Sequence, residues 1–511
     1  MNLLTDPVFA LTGDGKVSLP QLFSEMAQGR VSGFAALRPH QRPAWHMFLV
    51  QLAALSLWAS GHRELMTSVD TWTAALRHLT KDHEDDSPWQ LVVADKTKPA
   101  FLQPPVPKGL AWSPIVTPDN LDMLITARNH DVKQLIAWDA EPEDWIYALV
   151  SLQTCEGFGG RGNYGIARMN GGSSSRPLLG LVPARSQADL SVNPSAWWSR
   201  DVRYLLDARD EGQIVASGTS GGPALLWCLA WPEGEQLRLP DLDPWFIEVC
   251  RRVRMSNCEG KLSAHRATSK AARIDAKAFK GNTGDPWTPM HKDGKSLTLG
   301  SGDFDYNHLC NYLFSGDWVK PVLAQPRRAE CRDMLLVAEA FARGNSKTEG
   351  FKSRVVPVPG AVVSNFTAQT LGTLAKAQME EIKIFDKSLG YAIALLAAGG
   401  ERDKVDKGHY HCALAARKRF DASADLLFFP SLWRRIMTVN AGCEERASAR
   451  SDFLHNLWCA AQDEFTAAMS SVPCACVLRP RAEVRARRAL HNRIRREYPD
   501  AFRTEKRDVP H

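Results

Sequence analysis

The spacing of apolar residues changes character once along the chain. Up to about residue 365, short helical stretches at 45–58 and 142–153 alternate with Pro- and Gly-rich connections and short β-like runs. This pattern predicts a large α/β (α+β) domain of irregular topology over 1–365. The stretch 355–359 carries Pro357 and Pro359 and is read as the boundary. Beyond it, helical periodicity takes over. Leu371, Leu374, Ile382, Ile384, Leu389 and Ile393 fall in one long helix, and further helices are expected at 410–420, 424–439, 448–468 and 479–498. Gly399, Gly400, Gly408, Pro430, Gly442, Pro473 and Pro480 are read as the breaks between them. The expectation for 366–511 is a C-terminal four-helix bundle.

The last helix divides by face. Ala482, Ala486, Leu490, Ile494 and Tyr498 recur every four residues and should point inward, with Arg481, Arg485, Arg488 and Arg496 on the outer side. Eight Arg against one acid, Glu483, lie between 479 and 496. Such a face suits DNA backbone, because guanidinium groups stay charged and match phosphate geometry; a plain solvated bundle surface is the alternative. A second basic run holds Lys261, Arg266, Lys270, Arg273, Lys277 and Lys280 against Asp275. These clusters say more than the overall charge, which is only +6 over 511 residues.

A length of 511 residues implies more than one core, and 44% apolar content is that of a folded chain. Sixteen Trp are expected mainly as core anchors. Residues 1–15 lack a basic start followed by an apolar stretch. The longest apolar run, around 47–59, is too short to span a bilayer and contains Gln51. The eleven scattered Cys then read as reduced thiols of a cytoplasmic protein with no membrane partner.

The densest local signal is Gln153-Thr-Cys-Glu-Gly157-Phe-Gly159-Gly160-Arg161-Gly162-Asn163-Tyr164-Gly165, with five glycines in nine residues. Gly157, Gly159 and Gly162 match the spacing of a dinucleotide fingerprint, but the preceding segment reads as helix where that motif needs a strand. No Gly-Lys-Ser/Thr follows, so it is not a phosphate loop either. What remains is a backbone-rich surface with Arg161 and Arg168 nearby; a tight turn between two elements is the alternative.

Candidate chemistry is sparse. Ser217-Gly-Thr-Ser220-Gly-Gly-Pro223 resembles the nucleophile segment of trypsin-like serine proteases, and His130 is the one histidine in a similar motif. The regular short strands of a double barrel are missing. His409, His411 and Cys412, or Cys474 and Cys476, lack the paired spacing of a zinc site. The expectation is no catalytic residue, no metal and no cofactor.

Further motifs give the Gly cluster a context. They are Met1-Asn-Leu-Leu-Thr-Asp6, Phe101-Leu-Gln-Pro104, Leu124-Ile-Thr-Ala-Arg-Asn-His-Asp131, Arg343-Gly-Asn-Ser-Lys-Thr-Glu-Gly-Phe351 before Val355-Val-Pro-Val-Pro359, and Leu389-Gly-Tyr391. In this order the chain resembles the CasA-type large subunit of the type I-E CRISPR surveillance complex, Cascade. The resemblance implies a non-catalytic subunit that finds the protospacer-adjacent motif in duplex DNA from the minor groove, starts strand separation and R-loop formation, and docks the nuclease. Implied partners are guide RNA, the backbone, small and guide-5′-end-binding subunits, target DNA, and a helicase-nuclease or a nuclease fused to another subunit. Gly157, Phe158, Gly159 and Gly160, with Arg161 beside them, match the family's glycine loop. Lys277, or its close rival Lys280, matches its groove-reaching lysine. Asn345, Ser346 and Lys347 match its wedge, though family wedges often carry Gln at the tip. Arg128, Asn129 and His130 match the region that touches the guide RNA 5′ handle and a neighbouring subunit. Some members carry a Cys-rich zinc motif where Cys250 and Cys258 lie; His265 and His291 could add ligands, but the tetrad is incomplete. A serine hydrolase at Ser220 and a purely structural scaffold are the other readings.

Overall fold

The computed structural model describes residues 1–13, 15–122, 140–186, 188–212, 218–300, 302–344 and 347–502. The chain divides into two compact units, 1–304 with 316–363, and 305–315 with 364–511. The segment 305–315 lies well before the expected boundary at 365, yet it clusters with the second unit.

The first unit is a mixed α/β assembly. Its helices are α1 (Leu19–Ala27), α2 (Arg42–Ala59), α3 (Val69–His78), α4 (Pro142–Cys155) and α5 (Pro194–Asp210). Helix α2 is buried along almost its whole length and packs against α3, α4 and α5. Its apolar run is thus a core helix, and among the described residues no helix is long and apolar enough to cross a membrane. Trp45, Trp72, Trp145, Trp197, Trp198 and Trp287 are buried in this unit, as their bulk predicts.

The strands are short except in one place. In chain order they include β1 (Phe9–Ala10), β2 (Lys16–Val17), β3 (Ser113–Ile115), β4 (Leu178–Pro183), β5 (Leu237–Arg238), β6 (Arg252–Cys258), β7 (Lys261–Ala267), β8 (Ile274–Asp275), β9 (Met290–His291) and β10 (Trp318–Val319). The long pair is β11 (Met334–Gly344) and β12 (Lys347–Val358). These form an antiparallel hairpin, with β4 pairing on the far side of β11 along Met334–Glu339. Strands β3, β7 and β6 form a second antiparallel sheet. The two prolines taken as a boundary signal straddle the end of β12. Pro357 sits within that edge strand, where a missing N–H is tolerated.

The second unit is a helical bundle. Helix α6 (Tyr306–Phe314) packs on the long helices α7 (Gln369–Ala397) and α8 (Leu414–Met437), with α9 (Cys443–Ser471) and α10 (Arg479–Glu497) completing the set. Tyr306 joins α6 to α8 by stacking on Phe428 at 4.8 Å and donating its hydroxyl to Asp421 at 3.0 Å. Pro430 corrects the expectation of a break: α8 runs straight through it. The helix loses the bond to the Leu426 carbonyl, but Leu426 is 75% exposed, so water can replace that partner.

Candidate nucleic-acid interface

Helix α4 delivers the glycine loop. Its last turn holds Gln153, which is fully buried and saturated: the side-chain amide donates to the carbonyls of Leu102 and Arg251, each at 2.9 Å, and its oxygen accepts from the Cys250 and Arg251 amides at 3.0 and 2.8 Å. The glycines therefore follow a helix, which removes the dinucleotide fingerprint. From Glu156 the chain crosses the 172–175 segment: the Gly157 amide donates to Ser174 at 3.0 Å and the Phe158 amide to Gly172 at 2.7 Å. It then closes a turn, with Gly159 and Asn163 joined by a 2.8 Å bond and Asn163 and Gly160 by one of 2.9 Å. The turn needs its glycines for two reasons. A Cβ on Gly165 would lie 2.6 Å from the Gly157 carbonyl carbon, whereas Gly160 has φ +110° with open space around its missing Cβ. Arg251 locks the arrangement by donating to the Gly157 carbonyl at 2.7 Å.

One groove of about 740 Å³ brings four of the expected reading residues together, Gly157, Phe158, Lys277 and Lys280; Gly159, Gly160 and Arg161 are not among its lining residues. Gly157 and Phe158 line it from the loop, Lys277 and Lys280 from the turn after β8, and the amide side chains of Asn170 and Gln236 share it. Phe158 is 45% exposed, with its ring 6.2 Å from that of Tyr164. Lys277 and Lys280 are exposed and make no ion pair among the described residues; Arg161 is likewise exposed and unpaired there. Lys280 adopts φ +50°, which ends the short turn begun at Lys277. Arg168 does not belong with these cations. It is 1% exposed, its guanidinium 4.0 Å over the Phe246 ring and donating to the Phe246 carbonyl at 2.8 Å.

The hairpin is tied to the same loop. Ser175, bridged to Glu156, donates its amide to the Phe341 carbonyl of β11 at 3.0 Å. Of the expected wedge, Lys347 opens β12 opposite Gly344, so it stands at the end of the hairpin; Asn345 and Ser346 lie outside the described residues. Arg128, Asn129 and His130, the expected RNA-contacting residues, also lie outside them.

Helix α10 buries Ala482, Ala486, Leu490 and Ile494, and Tyr498 just beyond its end, as their spacing predicts. Its exposed arginines are not equivalent. Arg481 pairs with Glu401 at 2.8 Å and reaches the Gly399 carbonyl at 3.5 Å, and Arg485 donates to the Gly400 carbonyl at 3.1 Å, so both tie α10 to the glycine turn that follows α7. Arg496 has only a 3.7 Å contact to Glu497, and Arg488 has no ion pair among the described residues.

Ser220 sits in an arginine clamp. Its hydroxyl accepts from Arg209 at 2.7 Å, and Arg209 pairs with Asp243 at 2.7 Å. A guanidinium cannot serve as the general base a nucleophilic serine needs. Cys250 and Cys258 lie just before and at the end of β6, the first buried and the second exposed. Burial pushes the Cys250 thiol up to about 12.

Sequence reasoning passed over Arg251, Ser175, Asn170 and Gln236. Arg251 had a signal: arginines at 251, 252 and 254 interleave with the apolar Val249, Val253 and Met255, and charges in such a place need buried partners.

No protein-family model matches the chain, and no curated protein matches it. Solved structures do. Cse1 from Acidimicrobium ferrooxidans, a CRISPR-associated protein, matches with TM-score 0.62 at 16% identity over 97% of this chain and 98% of that one. Cse1 from Thermobifida fusca matches with TM-score 0.65 at 12% identity over 98% of each chain. CasA from Thermus thermophilus matches with TM-score 0.62 at 13% identity over 97% of this chain and 99% of that one. From the N-terminal α/β unit to the C-terminal bundle, this chain has the Cse1/CasA fold.

Proposed function

We propose that the chain is the non-catalytic large subunit of a type I-E CRISPR RNA-guided surveillance complex. It reads the protospacer-adjacent motif in duplex DNA, starts strand separation and docks the effector nuclease. The observation that carries this is the convergence of the glycine loop, Lys277 and Lys280 on one groove, on a chain with the Cse1/CasA fold. A minor groove offers a degenerate donor and acceptor pattern that backbone and lysine can read coarsely. Both lysines line the groove, so either can reach the DNA. Asn345, Ser346 and Lys347 act as the wedge, whose insertion must offset base unstacking of roughly a few kcal/mol. Once one pair opens, guide RNA pairing proceeds as a near-balanced exchange. Arg128, Asn129 and His130 meet the guide RNA and its neighbouring subunit.

Stopped-flow R-loop kinetics in the assembled complex test the division of labour. Gly160→Asp should abolish motif recognition. Ser346→Ala with Lys347→Ala should leave docking in place and slow opening. DNA mismatched beside the motif should rescue the wedge variant and not the loop variant. Equal rescue of both, or of neither, refutes the assignment.

A further inference from the structure

We propose a second binding site in the first unit, for an acidic peptide segment of a partner protein, in the cleft between α5 and the loop at residues 326–332. This goes beyond the nucleic-acid reading and uses none of its residues. The cleft encloses about 890 Å³. One wall is the face of α5 that carries Arg200, Arg203 and Asp207 at helical spacing; the other is the loop itself.

The walls are fixed by buried ionic contacts. Arg200, almost fully buried, grips Glu330 with two bonds of 2.8 and 3.0 Å and donates to the carbonyls of Leu323 and Gln325 at 3.0 and 2.7 Å. Arg327 pairs with Asp207 across the cleft, and its amide donates to Glu330 at 2.8 Å. The loop is thus pinned to the helix, so a ligand would meet a preformed surface.

Three cations are left over. Arg203, Arg328 and Arg332 line the cleft and are exposed, and their side chains make no ion pair or hydrogen bond among the described residues. Three acids line the cleft against five arginines: Asp207 and Glu330 are held by Arg327 and Arg200, and Glu211 lies at the C-terminal cap of α5, one turn past Asp207. The uncommitted charge is therefore positive and spread over both walls. Planar guanidinium groups take carboxylates two bonds at a time. Carboxylates embedded in the walls disfavour a continuous phosphate chain, which cannot avoid them. A peptide with spaced Asp or Glu can place its charges at the arginines alone.

The test uses the full chain and a fluorescein-labelled peptide of alternating Glu and Ala, with oligo-dT as comparator. In R203E/R328E/R332E, peptide affinity should fall on the order of tenfold or more, and a Lys/Ala peptide should gain. Oligonucleotide affinity should stay unchanged. The exposed Cys331 beside the arginines gives an independent readout. A Glu/Ala peptide carrying an iodoacetamide should alkylate Cys331 ahead of exposed Cys258, Cys443, Cys459 and Cys476. If the triple reversal does not fold, R203Q/R328Q/R332Q carries the same comparison. Equal peptide affinity of parent and variant, absence of peptide binding by the parent, or alkylation spread evenly over the exposed cysteines overturns the proposal. Loss of the oligonucleotide alone assigns the cleft to nucleic acid and overturns it as well.

Discussion

Ser175 and Phe341 exchange two hydrogen bonds: the Ser175 amide donates to the Phe341 carbonyl at 3.0 Å, and the Phe341 amide donates to the Ser175 hydroxyl at 2.7 Å. Both residues are buried, and Ser175 is also bridged to Glu156, the residue before the glycine loop. A single residue thus joins the loop to the strand leading toward the hairpin end. Ser175→Ala leaves the Phe341 amide without its acceptor, which costs about 1–3 kcal/mol. Urea unfolding should show that loss, and amide exchange at Phe341 should accelerate. In the assembled complex the same variant should slow strand opening more than motif docking.

Arg251→Met removes the guanidinium that holds the Gly157 carbonyl at 2.7 Å and lies 3.7 Å from the Glu156 carboxylate. Hydrogen bonds to charged groups contribute about 1.5–3 kcal/mol, so the variant should be destabilised by that order. Faster exchange of the Gly157 and Phe158 amides would place the damage in the loop. Unchanged exchange there would mean that Arg251 does not position it.

Two glycines of this loop should respond unequally. Gly165→Ala drives a methyl into the backbone of Gly157 and Phe158 at 2.6 and 2.8 Å, so the crossing must open. Gly160→Ala meets no atom within 4 Å and costs only the strain of its positive-φ backbone, about 1–2 kcal/mol. Thermal melting should separate the two, with the larger drop at Gly165.

The features read correctly from the sequence are those with local causes. The helix before the glycine loop and the buried stripe of α10 follow from 3.6-residue spacing, which needs no knowledge of the partner surface. The long hairpin was hidden for a physical reason. Met334-Leu-Leu-Val-Ala-Glu-Ala-Phe-Ala lies in a central strand covered on both faces, so it shows no alternation to set it apart from a buried helix. Glu339 within it reads as a solvent mark, yet it is fully buried, held by Arg42 and by the Ser353 hydroxyl at 3.0 Å. The meeting of Phe158 with Lys277 and Lys280 spans over 100 residues of chain, and periodicity carries no information at that range.

The arginines of α10 should separate into structural and binding groups. Arg481→Ala with Arg485→Ala removes the hydrogen bonds to the Gly399 and Gly400 carbonyls and should lower bundle stability by about 1–2 kcal/mol. Arg488→Ala with Arg496→Ala should leave melting unchanged but flatten the salt dependence of DNA engagement, since a phosphate without its guanidinium keeps its condensed counterions. A salt slope equal to that of the parent would make this face a solvated surface only.

Acid should weaken the first unit through Asp285. Burial alone would raise its carboxyl, but the charge and hydrogen bonds of Arg176, at 2.5 and 2.8 Å, outweigh burial and hold it below the usual carboxylate range. A depressed folded pKa contributes stability above the unfolded value and loses it as pH falls through the folded one. Asp285→Asn should therefore be less stable at neutral pH and show a flatter acid limb in melting temperature against pH. Arg176→Met, which strands the carboxylate, should cost about 3–5 kcal/mol at neutral pH.

The open space around Gly160 also bears on how such a loop diverges. Neighbouring Phe158 and Arg161 are exposed, so these two positions can change side chain without disturbing the crossing at Gly157 and Gly165, and at Gly160 only backbone strain opposes a side chain. Variation can accumulate where the loop faces outward, while its crossing stays under steric constraint. A lineage could then drift in what its loop recognises through single substitutions, each leaving a folded intermediate.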